Sequence, residues 1–205
     1  MTPAAAWDDC LRALGASEEA PQARLHALVT RWDEPHRHYH TRGHLMACLA
    51  GWQRLRGSLH APAEAGLALL YHDAIYDPQR RDNEALSVEL ARADLTVLGV
   101  PAGPVERIVA LIQATDHRTA TTHPDAAAVI DIDLAILGAD PAIYRRYAAD
   151  VRQEYAHVAE ADWLVGRAAV LRHFLQRPRL FTSGLSDALE APARFNLEAE
   201  LATLS

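Results

Sequence analysis

The spacing of apolar residues constrains this chain more than any other feature. They recur at intervals of three and four almost from end to end, and the alternation of a half-buried strand is nearly absent. Ala, Leu and Arg dominate the periodic stretches, and all three are good helix formers. The pattern predicts helices near residues 3–14, 18–32, 41–57, 62–76, 83–98, 103–116, 125–137, 141–158, 161–176 and 186–203. Pro35, Gly57, Pro62, Pro78, Gly99, Pro101, Pro104, Pro124, Gly138, Pro141 and Pro178 fall in the proposed connections or first turns. Thr41, Asp82 and Asp140 stand where N-caps are needed. The connections are short, with no linker, repeat or low-complexity tract, so one all-α domain over residues 1–205 is expected.

Composition narrows the chemistry. All 20 basic residues are arginine, which excludes a P-loop, a Schiff-base enzyme and any lysine general base. The formal charge of −7 argues against an electrostatic grip on nucleic acid, which needs a basic face. Cys10 and Cys48 are far apart, form no CxxC-type zinc spacing, and read as two buried thiols rather than a disulfide. The opening MTPAAAWDDCLRAL lacks a basic n-region and meets Asp8 and Asp9 before any apolar run, unlike a signal peptide. No stretch approaches the roughly 20 apolar residues that span a bilayer. A cytoplasmic protein with no membrane partner is therefore expected.

Two segments, GLALLYHDAIY (66–76) and AAAVIDIDLAIL (126–137), read as helices buried on most sides, yet both carry carboxylates inside their apolar runs. Burying a charge without a partner is costly, so these residues need a reason. His72 and Asp73 are adjacent, about 100° apart on a helix, and can converge on one ion. Further ligands must come from other helices: His44, early in its helix, and Asp133, in the second buried segment, supply them. The result is an H…HD…D set of imidazole and carboxylate donors suited to Mn²⁺, Fe²⁺, Zn²⁺ or a similar ion, with positions left for water. Asp131 competes for the last place, but it lies about 200° from Asp133 on a helix, so only one can face such a site. Asp133 is preferred. The rival explanation is a hydrogen-bonded His–Asp pair in the core with no metal.

The strings RHYHTRGHL (37–45), YHDAIYDPQRRDNEALS (71–87), ATDH (114–117) and DIDLAILG (131–138) resemble the HD superfamily of metal-dependent phosphohydrolases. YRRYAADVRQEY (144–155) and EAPARFNLEAEL (190–201) are similar to its C-terminal part, so the likeness covers roughly residues 36–201 and leaves the N-terminal helices before residue 33 uninformative. The resemblance is strongest to a small bacterial group of predicted HD-superfamily phosphohydrolases. It implies an all-α HD fold in which His44, His72, Asp73 and Asp133 ligate a divalent ion (Mn, Fe, Zn, Co, Ni or Mg). Asp133 matches because it directly precedes the Leu-containing stretch. It also implies metal-activated water attacking a phosphate ester or anhydride, with a small phosphorylated molecule, a nucleotide above all, as substrate.

Around that set, Asp77, four residues after Asp73, is expected on the same helical face as a proton acceptor, and Glu84 as a second carboxylate in the next helix. An acidic residue in a first turn also compensates the helix dipole, which is the plainer reading of Glu84. His40 is expected on the substrate side, and Arg42 and Arg152 as phosphate forks. His117 is read as a second-metal ligand or phosphate donor, against a simple helix C-terminal histidine. His36, His38, Arg80 and Arg81 are expected at the surface, and Glu190–Arg194 as an i,i+4 pair that only stabilises its helix. Glu154 and His157 make one E-x-x-H piece, but a ferritin-like di-iron bundle needs two. An HD-fold di-iron oxygenase and a non-catalytic metal- or nucleotide-binding module are the rival functions.

Overall fold

A computed structural model describes residues 1–16, 21–116, 123 and 125–204. Among these residues the chain is all helix and turn: α1 (Pro3–Ala13), α2 (Pro21–Arg31), α3 (Arg42–Leu55), α4 (Pro62–Tyr71), α5 (Asn83–Val97), α6 (Ala102–Ala114), α7 (Ala126–Asp133), α8 (Pro141–Glu154), α9 (Glu160–Gln176) and α10 (Glu190–Thr203). None is long and apolar enough to cross a membrane. Thr41 and Asp140 cap α3 and α8 as expected, accepting from Gly43 N–H at 3.2 Å and Ala142 N–H at 2.8 Å. Asp82 precedes α5 but turns its carboxylate to Arg80 instead.

α4 is the axle. Every residue from Glu64 to Tyr71 is buried, and α1, α3, α5, α6 and α7 all pack around it. Gly66 permits the closest of these approaches, since a Cβ there would stand 2.7 Å from Cys10 Sγ and 2.8 Å from the Trp52 ring. Leu67, Leu69 and Leu70 are wholly enclosed, and each contributes about 1.5–3 kcal/mol by leaving water. Glu64 is buried on the same helix because Arg107 of α6 forks onto it at 2.8 and 2.6 Å. A second apolar cluster joins the 3₁₀ turn at 134–138 to α8, α9 and α10, with Phe181 and Leu197 at its centre.

Three helices end earlier than their apolar patterns suggest; α8 stops at Glu154 and not near residue 158, its end turned toward the 38–40 amides by the Glu154 carboxylate. α4 stops at Tyr71, not near residue 76, because tertiary contacts claim the next backbone groups: Ser87 Oγ takes the Ile75 N–H at 3.0 Å, and Arg37 takes the Asp73 and Ala74 carbonyls at 2.8 and 3.1 Å. His72 and Asp73 therefore occupy a turn after α4. α7 ends at Asp133 and tightens into the 3₁₀ turn. Glu190 and Arg194 also do more than brace one helix. Glu190 accepts the Leu180 and Phe181 N–H groups, and Arg194 donates to the carbonyls of Leu175, Arg177 and Pro178.

Asp131 has a comparable task. It is wholly buried and accepts the N–H groups of Thr182 and Ser183, both at 3.0 Å, as well as the Ser183 hydroxyl. Asp131→Ala strands all three donors and is expected to lower unfolding free energy by about 2–5 kcal/mol, read by urea titration. A loss below about 0.5 kcal/mol is the size of an ordinary surface change and would contradict this role.

Candidate metal centre

α3, the turn after α4 and the end of α7 bring four donor groups to one place. His44 Nε2 lies 3.2 Å from His72 Nε2 and 3.1 Å from Asp133 Oδ1. His72 Nε2 lies 3.4 Å from Asp133 Oδ1 and 3.2 Å from Asp73 Oδ2, which is also 3.9 Å from His44 Nε2. Cys48 joins from the next turn of α3, and His44, Cys48, His72 and Asp133 form a group that could hold a metal ion, with donor atoms all within 4.8 Å of one another. The separations suit that purpose. Ligands about 2.1 Å from one ion stand about 3.0 Å apart in octahedral geometry and about 3.4 Å apart in tetrahedral geometry.

Electrostatics point the same way. His72 Nδ1 is hydrogen-bonded to the Leu69 carbonyl at 2.9 Å, which places the proton on Nδ1 and aims the Nε2 lone pair at the cluster. Two imidazole nitrogens 3.2 Å apart repel unless a proton or a cation lies between them. Burial opposes a charge on His72, but Asp73 and Asp133 raise its pKa well above the ordinary histidine value. Burial likewise opposes ionisation of Asp73, yet the His72 charge and hydrogen bond, with His40, hold its carboxyl far below the usual range. These contacts favour positive charge on His72 and an ionised Asp73.

The surrounding shell was less visible in the sequence. Glu154, at the end of α8, is buried and accepts the backbone N–H groups of His38, Tyr39 and His40 through Oε1 at 2.9, 2.8 and 2.9 Å. Its Oε2 meets His40 Nδ1 and the Tyr76 hydroxyl, each at 2.8 Å. His40 is thus held with Nε2 4.0 Å from Asp73 Oδ2, its ring stacked on Tyr76. Burial would depress the His40 pKa, but the Glu154 hydrogen bond and the Asp73 charge carry it upward. Arg37 locks the same corner, giving one guanidinium to the carbonyls of His40, Asp73 and Ala74. Trp32 lies against both metal-facing imidazoles, 6.2 Å from His44 and 5.4 Å from His72 between ring centres.

A cavity of about 600 Å³ opens beside the donors, reached by His44, Cys48 and Asp133. Tyr39, Ile132, Ile136 and Tyr147 form an apolar wall, and Arg54 and Arg146 stand at the edge.

Several residues singled out in the sequence fall elsewhere. Asp77 lies past the end of α4, so it shares no helical face with Asp73; its carboxylate accepts the Gln79 N–H at 2.9 Å and its backbone pairs with Asn83. Glu84 sits in the first turn of α5, where, after burial and Glu154, its charge helps raise the Tyr155 phenol. Arg42 pairs with Asp33 on the surface. Arg152 spends its donors on the Tyr155 and Val158 carbonyls and on Glu160, with its guanidinium over Trp163. Arg80 is a surface partner of Asp82, and His36 reaches the Tyr76 carbonyl at 2.7 Å. His117 lies outside the described residues. Both cysteines are free and buried.

Comparison with known proteins adds no assignment: no family model matches the chain, and neither a curated protein nor a solved structure matches it.

The anchoring role of Glu154 has a definite pH signature. Against burial, the hydrogen bond and charge of His40, with the His40 N–H and the Tyr76 hydroxyl, lower its pKa from 4.5 to about 2. A depressed carboxylate contributes stability that is present above its unfolded pKa and lost as pH falls through its folded one. In metal-free protein Glu154→Gln is therefore expected to be about 2–3 kcal/mol less stable near neutrality. In urea titrations that gap should narrow steadily from about pH 5 to pH 3; a gap independent of pH would rule out an ionised anchor.

Proposed function

We propose that this chain is a metal-dependent phosphohydrolase acting on a phosphate ester or anhydride, with a nucleotide as the substrate class. The observation that carries the reading is the convergence of His44, His72, Asp73 and Asp133 at ligand spacing beside a cavity that is apolar on one wall and arginine-edged. The H…HD…D motifs that resemble the HD superfamily add the reaction class. The donors are mixed nitrogen and oxygen, a set that accepts Mn²⁺, Fe²⁺, Co²⁺, Ni²⁺, Zn²⁺ or Mg²⁺. A divalent ion held there supplies a water of lowered pKa and neutralises charge building on phosphoryl oxygens.

The residues around the donors take the remaining tasks. His40 is the proton-transfer group in place of Asp77 and Glu84: Glu154 fixes its Nδ1, its Nε2 lies 4.0 Å from Asp73 Oδ2, and its ring meets that of His44 edge-on. General acid–base help of this kind is worth about 10²–10⁴ in rate. Arg54 and Arg146, exposed residues that line the cavity, take the phosphate-facing role in place of Arg42, which pairs with Asp33, and Arg152, which is engaged by the Tyr155 and Val158 carbonyls and Glu160. Tyr39 and Tyr147, edge to face at 4.6 Å, offer a surface for a base or other flat group.

The test begins with elemental mass spectrometry of untagged protein purified without chelator, then a phosphate-release screen over nucleotides. About one divalent ion per chain and turnover on at least one substrate are expected. Asp73→Ala should lose activity while keeping its helix content, and wild-type turnover in that variant would overturn the assignment. His40→Ala should bind metal normally and lose about 10²–10⁴ in kcat. Unchanged kcat would return the proton step to another group.

A further inference from the structure

His44 and Cys48 are one helical turn apart on α3 and leave the same face. Cys48 is 1% exposed, and its Sγ lies 3.6 Å from His44 Nε2. A thiolate about 2.3 Å and an imidazole about 2.0–2.1 Å from one tetrahedral ion stand about 3.6 Å apart, so that contact already has the length of a shared ion. Two imidazoles on the same ion stand about 3.3 Å apart by the same arithmetic. The two metal-facing nitrogens are 3.2 Å apart. A separate observation points to a cation: His72 is 1% exposed, has its Nδ1 engaged by Leu69, and turns Nε2 into this group.

We infer that Cys48 is a metal ligand of this site and that its thiolate selects a thiophilic ion, Zn²⁺ or Co²⁺, over Mn²⁺ and Mg²⁺. With zinc, Cys48 joins His44, His72 and Asp133, and the place beside them that Asp73 Oδ2 approaches, 3.2 Å from His72 Nε2, is the one open to water. A hard six-coordinate ion takes the Asp73 oxygen and leaves the thiol aside. Nothing is oxidised or reduced: the Cys48 S–H bond breaks, its proton leaves to solvent, and the sulfur lone pair forms the bond to the metal. The inference rests on the metal site proposed above but not on hydrolysis.

Cobalt loading separates the two ideas. Co²⁺ bound through Cys48 should give visible ligand-field bands and a near-ultraviolet sulfur-to-cobalt charge-transfer band, the latter lost in Cys48→Ser. Zn²⁺ affinity of Cys48→Ser should fall more than about tenfold while Mn²⁺ affinity changes little. Ligand-field bands without the charge-transfer band overturn the Cys48 inference and leave the metal site standing. Failure of the protein to retain Co²⁺ or Zn²⁺ at all removes both. Should Cys48→Ser not fold, X-ray absorption on the zinc-loaded wild type decides: a sulfur shell at about 2.3 Å supports ligation, and a shell of only nitrogen and oxygen refutes it.

Discussion

The carboxylate of Glu154 is the contact on which the rest of the site depends. A carboxylate taken out of water must be given donors, and this one receives three consecutive backbone N–H groups, an imidazole and a phenol. Those five donors belong to the segment before α3 and to the turn after α4; the first carries His40 and leads into His44 on α3, and the second carries His72 and Asp73. One buried charge therefore sets the spacing between the halves of the donor cluster. Arg37 answers it from the opposite side with a buried cation whose fork is filled by carbonyls of the same two segments. A planar guanidinium can serve three carbonyls in fixed directions, whereas an ammonium is a point charge on a flexible stem. The lysine-free composition is consistent with that geometry.

The same device recurs wherever irregular backbone meets the core. Asp125 takes the His60 and Ala61 N–H groups, Asp131 those of Thr182 and Ser183, and Glu190 those of Leu180 and Phe181. Each carboxylate lies far along the chain from the turn it holds or closes a separate loop. This divides the acidic residues of the apolar helices into two kinds. Asp131 has its oxygens taken by the N–H groups of Thr182 and Ser183 and stands apart, while Asp73 and Asp133 keep oxygens directed at the imidazoles.

Much of this was legible in the sequence, and the exceptions have physical causes. Helical periodicity gave the order of elements, and carboxylates inside apolar runs marked the segments around residues 73 and 133, because local pattern reports burial directly. The end of α4 was hidden. Ile75 and Tyr76 extend the apolar pattern, and the helix is stopped by Ser87 and Arg37, which no local rule brings near. Asp77 was misplaced for that reason alone. Glu154 and Arg37 resemble any charged residue at a helix end or in a loop until distant amides and carbonyls are assigned to them. The Cys48 signal was present as an H-x₃-C spacing in HLMAC, but a search for paired cysteines passes over a cysteine paired with histidine.

The distance between Glu154 and the amides it holds, 114 to 116 residues along the chain, also imposes an order in time. During synthesis His40, His44, His72 and Asp73 emerge long before their anchor. Until α8 leaves the ribosome, the three N–H groups at 38–40 lack the carboxylate that gathers them in the folded chain. The centre is assembled late from parts made early. A nascent chain broken off just before residue 154 would carry all four donors, His44, His72, Asp73 and Asp133, and yet lack the carboxylate that ties the 38–40 segment in place.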